Sequence, residues 1–507
     1  MKGACGTPAS VCERRSGRGG QAAARLYRGM LLFLLACPAS GDKDPASDSR
    51  ADSTPVTESA TTPATRLLGS HALGEGLAMV HGSDTRAGAG KAAAACDLDG
   101  DGVGDLLVGA PENNAGQGLV MYFRGPVSGT LSSADAELLV QGTGTFDGMG
   151  TSISCLDDRD GDGGPDVMLG APKYDEARGA AFLFNGSTLS RAPVLTLEDA
   201  LGSVRGASPN DQMGIEAGLA GDVDGDGKTE VFVSAWLGDE GAKDSGSLFL
   251  YGQVVGVTSP LDALAGWTGI AEKDWAAYGV GAGQDVNADG YDDLLIGADG
   301  VDTPSEFAGA AYLLLGPFAG IRSLADADAT LLGEYEDENG GHGVAMSPDL
   351  TGDGAPDLII GGFGYQEWAG RVALFSGAPS GSRTFSEADV VVAPAAAGAF
   401  YGYSVAGPGD VDGDGIADLF ISARYDPTAG ENAGAAWLHY GPVDPVTVLE
   451  SDTAVLLGEN AGDEAGFIVM GLDDLNGDGL PELGVGAPGN AAGGELAGAL
   501  YIWSAAP

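Results

Sequence analysis

Residues Asp97 to Gly109 read DLDGDGVGDLLVG, with acids at 97, 99, 101 and 105, a glycine at 102, and then an unbroken apolar run. Side-chain oxygens at positions 1, 3 and 5, a backbone carbonyl at 7 and a carboxylate at 9 can converge on one hard cation, and glycine at 6 permits the sharp turn. Calcium accepts such an irregular all-oxygen shell, whereas magnesium demands a tighter octahedron and keeps its waters. An EF-hand would need a bidentate Glu at position 12 ahead of a helix. Position 12 here is Val108, inside the apolar run. The loop therefore opens into a buried strand.

The pattern D-x-[DNT]-x-D-G-x-x-[DE] occurs seven times, at successive offsets of 61, 64, 63, 64, 61 and 64 residues. The expected ligands in loop 1 are Asp97, Asp99, Asp101, the carbonyl of Val103, and Asp105. Loop 2 offers Asp158, Asp160, Asp162, Gly164 and Asp166, and loop 3 offers Asp222, Asp224, Asp226, Lys228 and Glu230, again with position 7 acting through its carbonyl. Loop 4 has Asp285, Asn287, Asp289, Tyr291 and Asp293, and loop 5 has Asp349, Thr351, Asp353, Ala355 and Asp357. Loop 6 has Asp410, Asp412, Asp414, Ile416 and Asp418, and loop 7 has Asp474, Asn476, Asp478, Leu480 and Glu482. Up to seven Ca2+ ions are expected. Position 12 is apolar in every copy, which excludes EF-hand and dockerin readings throughout.

A second element follows each loop, a small residue and an apolar-aromatic strand: GLVMYFRG from Gly118, GAAFLFNG from Gly179, and so on to GALYIWS from Gly498. It lies 21 or 24 residues after the first loop Asp in all seven copies. With both elements in place, the chain resembles the FG-GAP repeat family, the seven-bladed propeller of integrin alpha subunits and of many bacterial surface proteins. Gly-Ala-Pro survives at Gly109 to Pro111, Gly170 to Pro172 and Gly486 to Pro488. The FG glycine is read at Gly150, Gly214, Gly402 and Gly466, eight residues before the loop, and at Gly279 and Gly343, six before it.

Each period of about 63 residues holds four apolar runs, the content of one propeller blade. The expected fold is all-β, a seven-bladed β-propeller with four-stranded blades over residues 64–504. The seventh blade lacks a fourth strand at the C-terminal end, and Arg66-Leu67-Leu68-Gly69 has no blade of its own. An N-terminal strand is expected to complete the last blade and close the ring, with that segment assigned to the task. Metal loops would then share one rim. The opposite rim would carry Tyr174, Trp236, Trp275, Phe307, Tyr365, Trp368, Phe400 and Tyr401, with Glu176, Asp239 and Glu431. The resemblance points to that face for partner binding.

Upstream, a basic segment leads into Met30-Leu31-Leu32-Phe33-Leu34-Leu35-Ala36-Cys37. Residues 1–37 read as a signal peptide, and the ending resembles a bacterial lipoprotein signal with Cys37 lipidated at the cleavage site. Residues 38–63, almost wholly Pro, Ala, Ser, Thr and Asp, read as a disordered tether with a span of roughly 30 Å. The expected location is the bacterial envelope, as an outer-membrane lipoprotein or a secreted protein, with membrane contact through the lipid alone. Of five cysteines only Cys96 and Cys155 would remain in the body, so the fold does not rest on a disulfide scaffold, and whether these two pair is open.

A formal charge of −49 argues against a nucleic-acid partner. The four histidines have no zinc spacing, and no nucleophile elbow or phosphate loop is present; Ser245 in Lys-Asp-Ser-Gly-Ser lacks the flanks of a nucleophile. Of the 73 acids, 25 sit at ligand positions of the seven loops. The expected function is a calcium-stabilised extracellular binding or adhesion module, a monomer without catalytic residues, taking a protein or glycan on the rim opposite the metal loops. The alternative is a calcium-dependent polysaccharide hydrolase or lyase. Two isolated funnel carboxylates would favour the enzyme, and a small, apolar funnel would favour binding; the Ala- and Gly-rich inner strands point to the latter.

Overall fold

The computed structural model describes residues 66–189, 193–394, 397–444 and 453–505; the proposed signal, Cys37 and the tether lie outside them. Seven sheets follow one another along the chain. Blade 1 runs outward through Ala93–Cys96, Asp105–Ala110, Leu119–Phe123 and Leu138–Gln141, and the same antiparallel order repeats in the others. The second strand of every blade begins at loop position 9 and is buried along its whole length. The apolar run after each acid is thus the centre of a blade. Cores lie between neighbours: Leu107, Val120 and Tyr122 of blade 1 pack with Val167, Leu169 and Phe182 of blade 2.

Adjacent blades approach so closely that the glycine of Gly-Ala-Pro tolerates no side chain. A Cβ on Gly109 would stand 2.1 Å from the carbonyl oxygen of Gly150 in blade 2, and one on Gly170 would stand 2.1 Å from that of Gly214 in blade 3. The FG position is occupied in blades 4 and 5 by Ala277 and Gly341, both at positive φ, rather than by Gly279 and Gly343. Gly90 serves in blade 1. Each of these residues turns the chain into the inner strand; Gly90, Gly150, Ala277 and Gly466 donate their N–H to the carbonyl of Gly109, Gly170, Gly297 and Gly486 at 2.8–3.0 Å.

The ring closes through the N-terminus, but by a different segment from the expected one. Blade 7 consists of Val469–Leu472, Glu482–Ala487 and Ala499–Ser504, and its fourth strand is Ala78–His81, antiparallel to Ala499–Ser504. Arg66-Leu67-Leu68-Gly69 copies the letters of other fourth strands, yet Ala78–His81 has their alternating burial, shared with Ala329–Leu332. Gly69–Ala72 instead pairs in parallel with Thr453–Leu457 on the outside of blade 6.

That pairing belongs to a feature the four-run count did not contain. Six sheets have five strands, the fifth being a short segment from the link between strands 3 and 4 of the next blade; Gly129–Ser132, for example, lies beside Ala78–His81. Six of the seven blades are therefore laced to the next at the outer edge, among the described residues. Cys96 and Cys155 form a disulfide joining the inner strands Ala93–Cys96 and Ile153–Leu156 of blades 1 and 2.

Candidate functional site

The seven acidic loops join strands 1 and 2 and so share one rim. In loop 1 the position-1 carboxylate folds the turn over itself, accepting the N–H of Gly100 at 2.7 Å and of Gly102 at 2.8 Å. Both glycines have positive φ, as the turn requires. The position-9 acid works differently. Asp105 is buried and accepts the N–H of Leu98 at 3.0 Å and of Gly125 at 2.9 Å, tying the loop to the end of strand 3. Every position-9 acid is buried and accepts the position-2 N–H, at 2.6–3.1 Å.

In five loops three carboxylate oxygens lie within 4.8 Å of one another. These are Asp97, Asp99 and Asp101; Asp158, Asp160 and Asp166; Asp222, Asp224 and Glu230; Asp410, Asp412 and Asp418; and Asp474, Asp478 and Glu482. Loops 4 and 5, with Asn287 and Thr351 at position 3, share the position-9 bond without such a trio among the described residues. Without a cation this crowding is unfavourable. Burial first, and repulsion from loop carboxylates second, push Asp293 and Asp357 up to about 6 and Glu230, Asp418 and Glu482 up to about 7, against the pull of the backbone donors. Neighbouring loops also touch: the N–H of Asp292 donates to the Asp222 carbonyl at 3.0 Å, and that of Gly104 to the Asp474 carbonyl at 2.7 Å.

The opposite rim opens into a funnel of about 930 Å³ on the propeller axis, to which every blade contributes. The residue after each FG position lines it: Lys91, Thr151, Ile215, Tyr278, His342, Tyr403 and Phe467. Sequence reasoning missed this ring and expected small residues on the inner wall. A fixed offset would have found it, seven residues before the loop in six blades and six in blade 1. Tyr278 stacks on His342 at 4.7 Å, His342 meets Tyr403 at 4.6 Å, and Tyr403 meets Phe467 at 5.9 Å. His342 Nδ1 lies 2.7 Å from Asp299 Oδ2. Glu216, half-buried at the wall, is pushed up to about 8 by burial.

The expected rim aromatics divide. Trp236, Trp275 and Phe307 form one cluster, with centroids 6.3 and 5.8 Å apart, and Trp368 stacks on Phe400 at 5.1 Å. Tyr174 packs edge-on against Phe182, and Tyr365 against Tyr335. Tyr401 is a correction: it is 2% exposed, and its hydroxyl lies 2.9 Å from His439 Nε2 inside the core. Glu176, Asp239 and Glu431 are exposed. Ser245 is fully buried, and its Oγ accepts the Ala242 N–H in a turn.

Seven closed blades, metal-type loops on one rim and an open funnel on the other define an all-β repeat propeller. Comparison with known proteins makes this specific: the FG-GAP repeat matches residues 89–121 and 276–314, and the FG-GAP-like repeat matches 349–421. The chain thus carries FG-GAP repeats and is similar to integrin alpha subunits. It is 30% identical to integrin alpha pat-2 of Caenorhabditis elegans over 244 residues, 44% of this chain and 18% of that protein. It is 33% identical to integrin alpha-4 of Xenopus laevis over 153 residues, 30% of this chain and 14% of that one. A phosphatidylinositol-glycan-specific phospholipase D of Rattus norvegicus is 31% identical over 168 residues, 31% of this chain and 20% of that one. The matched stretches thus span a fifth or less of these relatives. Among solved structures, Sqt1 of Chaetomium thermophilum aligns with a TM-score of 0.43 at 13% identity, over 85% of this chain and 97% of that one.

Proposed function

We propose that the protein is a calcium-stabilised binding or adhesion module that acts outside the cytoplasm. The observation that carries this is the division of labour between rims: crowded carboxylates repeat on one, while the other holds an open, chemically varied funnel. In this reading all seven loops take calcium, with the position-7 carbonyls completing each shell. The cation offsets the repulsion that raises the position-9 acids, and binding only to the folded state stabilises it by mass action. The Cys96–Cys155 bond supports an oxidising compartment. Cys37 would carry lipid and residues 38–63 would hold the propeller off a bacterial membrane, so that Cys37→Ser releases the protein from the membrane fraction. A protein and glycan array, probed with and without calcium, tests the module. Capture only by the calcium-loaded protein is expected, and no capture at all contradicts it.

One observation favours the second reading, a polysaccharide hydrolase or lyase. The His342–Asp299 pair flanked by Tyr278 and Tyr403 has the makings of a base in the funnel. Against the two-carboxylate version, Glu112 is engaged by Lys91, leaving Glu216 as the other funnel acid. Release of reducing ends or of unsaturated sugars from an acidic polysaccharide would establish that activity.

A further inference from the structure

The funnel ring is not uniform around its circumference. Four consecutive blades, 4 to 7, supply aromatic rings, and the arc Tyr278, His342, Tyr403 and Phe467 is continuous at the distances given above. All four are half-buried, so each keeps surface toward the void. Blades 1 to 3 supply the rest of the wall, where Thr151, Lys173, Gln212 and Glu216 stand among Phe146, Ile215 and Trp236, with the Lys91–Glu112 pair beside Phe467 and Arg86 at the edge. Of the three cations in that lining, Lys91 is held by Glu112 and Arg86 lies 3.6 Å from Glu495. Lys173 is exposed and makes no ion pair among the described residues.

Each wall restricts what fits between them. The aromatic arc suits a cation or an apolar face. The cation position is already taken from within: the Arg424 guanidinium lies 5.0 Å from the Tyr403 centroid and 4.7 Å from that of Phe467, and Glu464 holds it at 2.6 Å. An apolar face remains. The polar wall calls for hydroxyls and a negative charge. Gln212 Oε1 accepts the Trp236 indole N–H at 3.2 Å, which fixes the amide and leaves its NH2 to donate. The Thr151 hydroxyl donates to Gly148 O at 2.7 Å and keeps its lone pairs. Glu216, protonated at neutral pH by its burial, adds a hydroxyl rather than a charge, and Glu112 is matched by Lys91, so the charge left to a ligand on this wall is that of Lys173. The cavity volume lies within the range of ~300–1,000 Å³ usual for small-ligand sites.

We propose that the funnel binds an acidic sugar residue, its C–H face on the arc Tyr278–His342–Tyr403–Phe467 and its carboxylate toward Lys173. A saccharide meets both walls at once: one ring face is apolar, its rim carries hydroxyls for Gln212, Thr151 and Glu216, and a uronate or sialate carboxylate answers Lys173. This rests on the binding-module reading and names the ligand class of that rim.

The test is a calorimetric titration of the full, calcium-loaded chain with trigalacturonate and with 3′-sialyllactose, lactose being the neutral control. At least one acidic probe binds, with lactose at least tenfold weaker. Lys173→Gln, at an exposed position, weakens the acidic probe at least fivefold with an unchanged melting temperature, and Tyr278→Ala weakens it at least tenfold. Heat from neither acidic probe, with the protein shown folded, overturns the acidic-sugar assignment; the binding module then stands or falls by the array. Acidic-probe binding that both substitutions leave unchanged overturns the funnel as its place while leaving the module intact.

Discussion

On the metal rim, position 6 is glycine and position 9 is Asp or Glu in all seven blades; at the funnel, seven blades present Lys91, Thr151, Ile215, Tyr278, His342, Tyr403 and Phe467. The two sets flank the inner strands of the blades, one before and one after, and they are subject to different constraints. The loop end must fold a turn, bury a carboxylate and meet its neighbour, and only a few residue types do all three. The funnel end needs only a positive-φ hinge, after which the next side chain faces the void and is free to vary. Repetition marks what holds the ring together, and variation marks where blades have separate tasks.

The harshest way to break the comparison is to open the ring. Deleting residues 1–65 is expected to leave a stable propeller. Deleting 1–76 removes the outer strand of blade 6 and costs some stability. Deleting 1–83 removes Ala78–His81, exposes the edge of Ala499–Ser504, and is expected to cause aggregation. Equal solubility and melting of all three forms, measured side by side, would contradict closure by Ala78–His81.

A smaller effect is expected from the bond between blades 1 and 2. The disulfide spans 59 residues, and a closed loop of that length constrains the unfolded chain by about 4 kcal/mol in the chain-entropy account. Cys96→Ser with Cys155→Ser should therefore lower unfolding stability by about 2–4 kcal/mol in denaturant titration, with a steeper slope because the unfolded chain is freed of its cross-link. Calcium affinity should be nearly unaffected, since neither sulfur is a ligand.

A pH-dependent effect sharpens the funnel side. Glu216 has a folded value of about 8 against 4.5 for an ordinary Glu, so between those values the folded state holds a proton that the unfolded state has lost. Its contribution therefore falls as pH rises from about 4.5 to 8, by up to about 1.4 kcal/mol per unit, and is flat above that. Glu216→Gln should remove this slope. In calcium, the stability advantage of the variant should grow with pH and level off near 8. A constant difference across that window would place Glu216 in water.

Much of this was legible because metal loops and buried strands demand particular residue types. The second strands could be read from Asp105 to Ala110 onward, since a run buried on both faces must be apolar throughout. The closing strand was misplaced because Arg66 to Gly69 shares letters with other fourth strands, whereas pairing depends on which face each residue presents; Ala78-Met79-Val80-His81 alternates correctly with less obvious residues. Fifth strands such as Gly129–Ser132 bury little and leave no apolar run to read. The Cys96–Cys155 pairing follows from blade adjacency, which spacing alone does not give. Tyr401 and Tyr403 look alike in sequence, yet one is in the core and the other faces the funnel, because the chain turns between them at Gly402.

The central claim is that the carboxylate rim is a calcium-dependent fastening separate from the funnel. It is tested most directly by calorimetric melting of one preparation before and after exhaustive chelation, with metal content measured on both samples. Each site saturated a hundredfold above its dissociation constant adds about 2.7 kcal/mol. Several filled sites should therefore raise the melting temperature by at least about 10 °C, and adding calcium back should restore it. An unchanged melting curve, with metal analysis showing the loops emptied, would contradict the account.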